Sequence, residues 1–117
     1  FEMLSGDTPF YEDGMDQIGL MRSIVKKKLQ FPTTRVQRAH FFAEDSKTLI
    51  TALLTKASSK RIGSLAHGGQ DICDSAFFRP VNFEKLRNKE IDPPMKPEVT
   101  DPLDTSHFEN WDHLEDK

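Results

Sequence analysis

The chain has 117 residues, 36% of them hydrophobic and 30% charged, and a net charge of −3. That length suits one small domain with a single core and excludes a large multidomain enzyme within the chain. The mild negative charge argues against a generic nucleic-acid or anionic-membrane binder, and a single cysteine, Cys73, excludes a disulfide framework or a multi-cysteine zinc site.

In chain order, the first strong pattern is helical. Met15, Ile18, Met21, Ile24 and Val25 recur at three- to four-residue spacing, with Leu20 beside them. Asp13 and Asp16 stand near the start and Lys26, Lys27 and Lys28 at the end, an order that complements the helix dipole. Phe31-Pro32 then stops the run. A second helix is predicted over residues 44–56, with Leu49, Ile50, Leu53 and Leu54 as its stripe and Glu44 and Asp45 in its first turn. Its start, Phe42-Ala43-Glu44-Asp45, lacks a Ser or Thr cap. Gly63 and Gly68-Gly69 punctuate the loop that follows. A third, short helix then places Ile72, Ala76 and Phe77 on one face. No run shows strand alternation, and there is no repeat.

The charge is unevenly spread. Residues 1–86 carry 12 Lys/Arg and 10 Asp/Glu, whereas residues 87–117 carry 4 and 9. Four of the seven prolines, Pro93, Pro94, Pro97 and Pro102, also fall in the later part. Proline lacks the N–H that a helix or ladder needs, so this part is predicted to be an extended tail. Seven apolar residues recur along it: Ile91, Met95, Val99, Leu103, Phe108, Trp111 and Leu114. Spaced anchors on a non-helical chain suggest a tail that docks into grooves. The expectation is a mainly α protein with a long irregular tail.

The residues alone show no self-contained active site. His40, His67, His107, His113 and Cys73 never pair at metal-ligand spacing, so no metal is expected. Cys73 reads as a buried, inert thiol. Gly63, Gly68 and Gly69 fit no phosphate-binding loop. The three lysines read as a solvated helix end, and Asp101, Asp104, Glu109 and Asp112 as solvated tail carboxylates. The chain opens on Phe1 rather than Met, as a processed chain or a piece of a longer one does. No basic-then-apolar leader begins it, and no apolar run approaches the ~20 residues that span a bilayer. The longest, residues 49–54, contains Thr51. The expected compartment is cytoplasmic, with no membrane span and no nucleic-acid partner.

Several segments, in order, resemble one family. Phe1-Glu2-Met3-Leu4-Ser5-Gly6-Asp7-Thr8-Pro9-Phe10 looks like the stretch that ends the long central helix in the large lobe of eukaryotic protein kinases. Phe31-Pro32, Leu53-Leu54, Lys60-Arg61-Ile62-Gly63, Gly68-Gly69-Gln70-Asp71-Ile72 and Phe77-Phe78 continue the likeness. Pro93-Pro94-Met95-Lys96-Pro97 and Asp104-Thr105-Ser106-His107-Phe108 resemble the tail of AGC-group Ser/Thr kinases, nearest to the cyclic-nucleotide-dependent branch. Departures are the longer stretch between Pro32 and Phe42, Phe77 in place of the common Trp, and the absent distal Phe-x-x-Phe.

The resemblance implies large-lobe helices over residues 1–78 and an AGC tail over residues 79–117. It implies a parent enzyme that transfers the γ-phosphate of ATP, with Mg, to protein or peptide substrates bearing basic residues, under a regulatory subunit or domain. The Gly-rich loop, Val-Ala-Ile-Lys, His-Arg-Asp, Asp-Phe-Gly and Ala-Pro-Glu are absent from the sequence, so the chain alone carries no catalytic residue. No cofactor is expected for it in isolation. The alternative is a non-catalytic interaction module that binds a partner or pseudosubstrate through the helix after Pro9 and the groove around Phe10-Tyr11.

Three residues receive roles from the resemblance. Glu2 corresponds to the glutamate that pairs with a substrate arginine, or is a solvated charge. Arg61 corresponds to the structural arginine that pairs with the glutamate of Ala-Pro-Glu. Phe108 corresponds to the tail ring near the adenine pocket, or is a docking anchor for the lobe.

Overall fold

The computed structural model describes residues 1–34 and 41–109. Its regular elements are helical, and no strand occurs among the described residues. They are α1 (Glu2–Ser5), α2 (Gln17–Lys26), α3 (Glu44–Leu53), α4 (Gly69–Cys73) and α5 (Phe83–Arg87), with 3-10 turns at Ser58–Lys60 and Ala76–Phe78.

Capping explains the ends. The one-turn helix α1 closes on Gly6, whose φ of 86° is left-handed and whose N–H donates to the Glu2 carbonyl at 2.7 Å. Asp16 starts α2 by accepting the Gly19 N–H at 2.7 Å. The chain leaves α2 at Lys27, well before the proline expected to stop it. Lys27 is half-buried and its ammonium pairs with Glu12, so the three lysines are not one solvated turn. Ala43 starts α3 with no side-chain cap; Ser46 Oγ donates back to the Ala43 carbonyl at 2.7 Å.

The second predicted helix is shorter than its stripe. It ends at Leu53 rather than near Lys56. The Ile62 N–H takes the Ala52 carbonyl at 3.4 Å, the oxygen a continuing helix would give to Lys56. Arg61 Nε donates to the Thr55 carbonyl at 2.9 Å and its terminal nitrogen to that of Lys56 at 3.4 Å. The loop after α3 therefore folds back and satisfies the helix end.

The core is small. Its buried apolar members are Phe10, Phe42, Leu49 and Ile50. Phe42 gathers Phe1 and Phe31, with ring centroids 5.1 and 5.4 Å away. The 3-10 turn Ala76–Phe78 packs on α3, and Phe78 bridges Phe77 and Phe83 at 5.0 and 5.5 Å. That second triad ties α5 to the helical part. Cys73 is half-buried rather than buried.

Past α5 the backbone runs without regular structure to residue 109. Ile91, Met95, Val99, Leu103 and Phe108 are exposed, so the expected anchors lie in no groove of the described residues. Trp111 and Leu114 lie outside the described residues, as do His40, His113, Asp112 and most of the longer stretch between Pro32 and Phe42. No described helix is long and apolar enough to cross a membrane.

Candidate functional site

Glu2 stands in the first turn of α1 and is exposed, and no ion pair engages its carboxylate among the described residues. On the same part of the chain, Phe1, Asp7, Tyr11, Lys27 and Phe31 line an open depression of about 650 Å³. Ser5 holds its floor. The buried hydroxyl donates to the Asp7 carbonyl at 2.8 Å and accepts the Asp7 N–H at 3.1 Å. Nothing in hydrophobic periodicity marks Ser5, because its role is local backbone hydrogen bonding.

Arg61 is half-buried at the edge of a second cavity of about 340 Å³, lined by Phe10, Ile24, Val25, Leu53, Leu54 and Lys56. Its guanidinium meets carbonyls, and no carboxylate among the described residues pairs with it. Lys56 covers the Phe10 ring, its ammonium 3.8 Å from the centroid, and donates to the Ile24 carbonyl. Two cations thus border an apolar hollow.

A third hollow, about 230 Å³, is almost wholly apolar. Phe1, Met3, Leu4, Leu53, Ile72 and Phe77 face it. Met3 is 97% exposed. Next to Ile72 on α4, Asp71 Oδ1 accepts from His67 Nδ1 at 3.1 Å when that nitrogen carries the proton. Asp71 Oδ2 and, two residues past α4, Ser75 Oγ are buried with no partner among the described residues.

Phe108 is 76% exposed and stacks on no ring among the described residues. Its surroundings overturn one expectation. Asp104 is not simply solvated: its carboxylate accepts the Thr100 N–H, the Thr100 hydroxyl and the Ser106 N–H at 2.9, 3.0 and 2.9 Å. The Thr100 and Ser106 backbone donors, with their side chains, hold its carboxyl well below the ordinary carboxylate value. Asp101 likewise accepts the Leu103 N–H at 2.8 Å. The Asp-Thr-Ser string was the available signal, since Asp and Ser/Thr at short spacing close local turns.

Among the described residues no three His, Cys, Asp or Glu converge on a point.

No family model matches the chain. Individual relatives do. The chain is 36% identical over 110 residues to the serine/threonine-protein kinase gad8 of Schizosaccharomyces pombe, covering 94% of the chain and 17% of that protein. It is 36% identical over 110 residues to the serine/threonine-protein kinase akt-1 of Caenorhabditis elegans, covering 94% and 19%. It is 35% identical over 109 residues to ribosomal protein S6 kinase 2 beta of Xenopus laevis, covering 93% and 16%. The chain matches the C-terminal region of AGC-group kinases. It spans under a fifth of the lengths of these relatives.

Proposed function

We propose that the chain is the C-terminal part of a Ser/Thr protein kinase that transfers the ATP γ-phosphate to proteins with basic residues near the acceptor. Residues 1–78 are its last large-lobe helices and residues 79–117 its tail. Mg and the nucleotide phosphates are held by motifs that this sequence lacks, so the chain alone is inactive. In the whole enzyme Glu2 offers a carboxylate to a substrate guanidinium, which favours paired, charge-assisted hydrogen bonds. Phe108 packs near the adenine. The relatives named above are of the S6 kinase, akt and gad8 types; the finer resemblance, to the cyclic-nucleotide-dependent branch and its regulator, rests on the motif order alone.

The observation that carries this reading is Arg61. A half-buried guanidinium beside an apolar hollow, bonded among the described residues only to carbonyls, is the arrangement a missing carboxylate would complete. The glutamate of an Ala-Pro-Glu segment supplies that group.

A second reading, a non-catalytic interaction module, draws on the exposed Ile18, Met21 and Val25 along α2. The reading frame upstream of Phe1 separates the two. His-Arg-Asp, Asp-Phe-Gly and Ala-Pro-Glu in one continuous frame support the kinase, and a stop codon followed by a start codon supports the module.

The kinase reading is tested in the full-length enzyme with Glu2→Gln. The preference for peptides with the upstream arginine over peptides without it, read as a ratio of kcat/KM, is expected to fall about tenfold. An unchanged ratio removes Glu2 from the substrate site. By calorimetry, Mg-ATP is expected to give no heat with the 117-residue chain alone.

A further inference from the structure

The tail beyond α5 buries almost nothing, yet residues 98–108 are closed by hydrogen bonds. His107 Nε2 lies 2.7 Å from the Glu98 carbonyl oxygen, and since a carbonyl can only accept, that nitrogen carries the proton. Inside this closure, Asp104 takes its three donors from Thr100 and Ser106. Asp101 Oδ1 accepts the Leu103 N–H, and the Asp101 carbonyl accepts the Asp104 N–H at 3.1 Å. The Phe108 N–H donates to the Thr105 carbonyl at 2.9 Å, between the two residues that the Asp104 carboxylate pins.

Apolar burial does not hold this loop. Val99 is 57% exposed and Leu103 86% exposed, like Phe108 itself. Its conformation therefore depends on polar bonds, and one carboxylate accepts three of them. A ring at the end of such a loop reaches its pocket with less ordering left to do on binding.

We infer that residues 98–108 form a self-closed polar clasp in which Asp104 is the positioning residue for the Phe108 ring. Asp104 touches no substrate; it acts by fixing the backbone from which Phe108 projects. Thr100 is its principal partner, supplying both a backbone and a side-chain donor. The consequence for the nucleotide rests on the reading of Phe108 given above. The clasp itself does not.

Two measurements separate these. The first follows the Thr100 and Ser106 amide shifts of the 117-residue chain by NMR. Asp104→Asn is expected to move both strongly, because the neutral amide accepts weakly where the carboxylate accepted a charge-assisted bond. Unmoved shifts overturn the clasp. The second uses the full-length kinase. Asp104→Asn is expected to raise KM for ATP about fivefold with kcat unchanged, since one lost anchoring interaction of ordinary size has that effect. Thr100→Ala should raise KM in the same direction, and Thr100→Ser should restore it. Phe108→Ala is the control. If it raises KM for ATP while Asp104→Asn does not, the positioning role is overturned and the reading of Phe108 stands. If neither variant changes KM, the reading of Phe108 fails and the positioning role falls with it.

Discussion

A single carboxylate shows how exposure and chemical environment diverge. Asp104 stands in a tail with little burial, so desolvation contributes little, and donors from Thr100 and Ser106 decide its titration. Its folded value lies below the ordinary 3.8. A depressed carboxylate stabilises the folded loop above its ordinary value, and that contribution is lost as pH falls through the folded value. The part of the Thr100 and Ser106 amide shifts that depends on the Asp104 carboxylate, read as the difference from Asp104→Asn, should therefore change only below 3.8. The other titratable groups of the loop are Glu98, Asp101 and His107. A transition of these two amides at or above 3.8 that Asp104→Asn abolishes would show that the carboxylate does not accept from them. Arg61 makes the complementary point. Its residue type and its place after Lys60 were visible in the sequence, but its actual partners, the Thr55 and Lys56 carbonyls, depend on how the loop returns.

Among the elements, existence was more legible than extent. The periodic stripe announced α2 and α3, and the Gly68-Gly69 pair announced the start of α4. But the third helix predicted to carry Ile72, Ala76 and Phe77 on one face ends at Cys73, and Ala76 and Phe77 lie in a separate 3-10 turn. The one-turn α1 and α5 had too few residues to show a period, and both are capped by local groups: Gly6 at the end of the first, and at the start of the second Asn82, whose side chain accepts the Lys85 N–H at 3.0 Å. The end of α3 was misplaced because Ile62 and Arg61, outside the stripe, capture the Ala52 and Thr55 carbonyls. The two longer helices differ at their starts, and the difference is testable. Asp16→Ala removes the acceptor for Gly19 N–H and should destabilise α2 by about 1 kcal/mol. Ala43 already has the extended backbone of a cap, with φ −66° and ψ 161°, but no side-chain acceptor. Ala43→Ser should thus stabilise α3, by up to about 1 kcal/mol, and raise helicity in circular dichroism. Loss of helicity in that variant would mean that the Ser46 back-bond already serves the helix start and resists replacement.

For the molecule as a whole, the single compact core suggested by the length does not form. The radius of gyration is 19.2 Å, against about 13 Å for a compact chain of this length. Among the described residues only Phe10, Phe42, Leu49 and Ile50 are buried large apolar side chains, while Met3, Ile18, Met21, Val25 and Phe77 are exposed. The sequence carried this result in the wrong form: a helical stripe marks the face that is buried somewhere, not the surface that buries it. Asp71 Oδ2 and Ser75 Oγ point the same way, since each buried polar atom without a partner costs about 1–3 kcal/mol. The aromatic triad around Phe42 is the part best able to persist, because it joins Phe1, Phe31 and Phe42 from segments distant in sequence, whereas the triad around Phe78 joins only neighbouring elements. These features together predict a weakly cooperative chain in isolation. Heating should give a broad loss of helicity centred below about 45 °C, the lower edge for ordinary mesophilic domains. The exposed apolar hollow beside Met3 should bind a hydrophobic dye before heating, as loosely packed states do. A sharp transition above about 60 °C without dye binding would mean that the helical part forms a complete core by itself. That result would also remove the physical case for a missing partner at Arg61, because a stable isolated chain has no unmet need for the rest of a lobe.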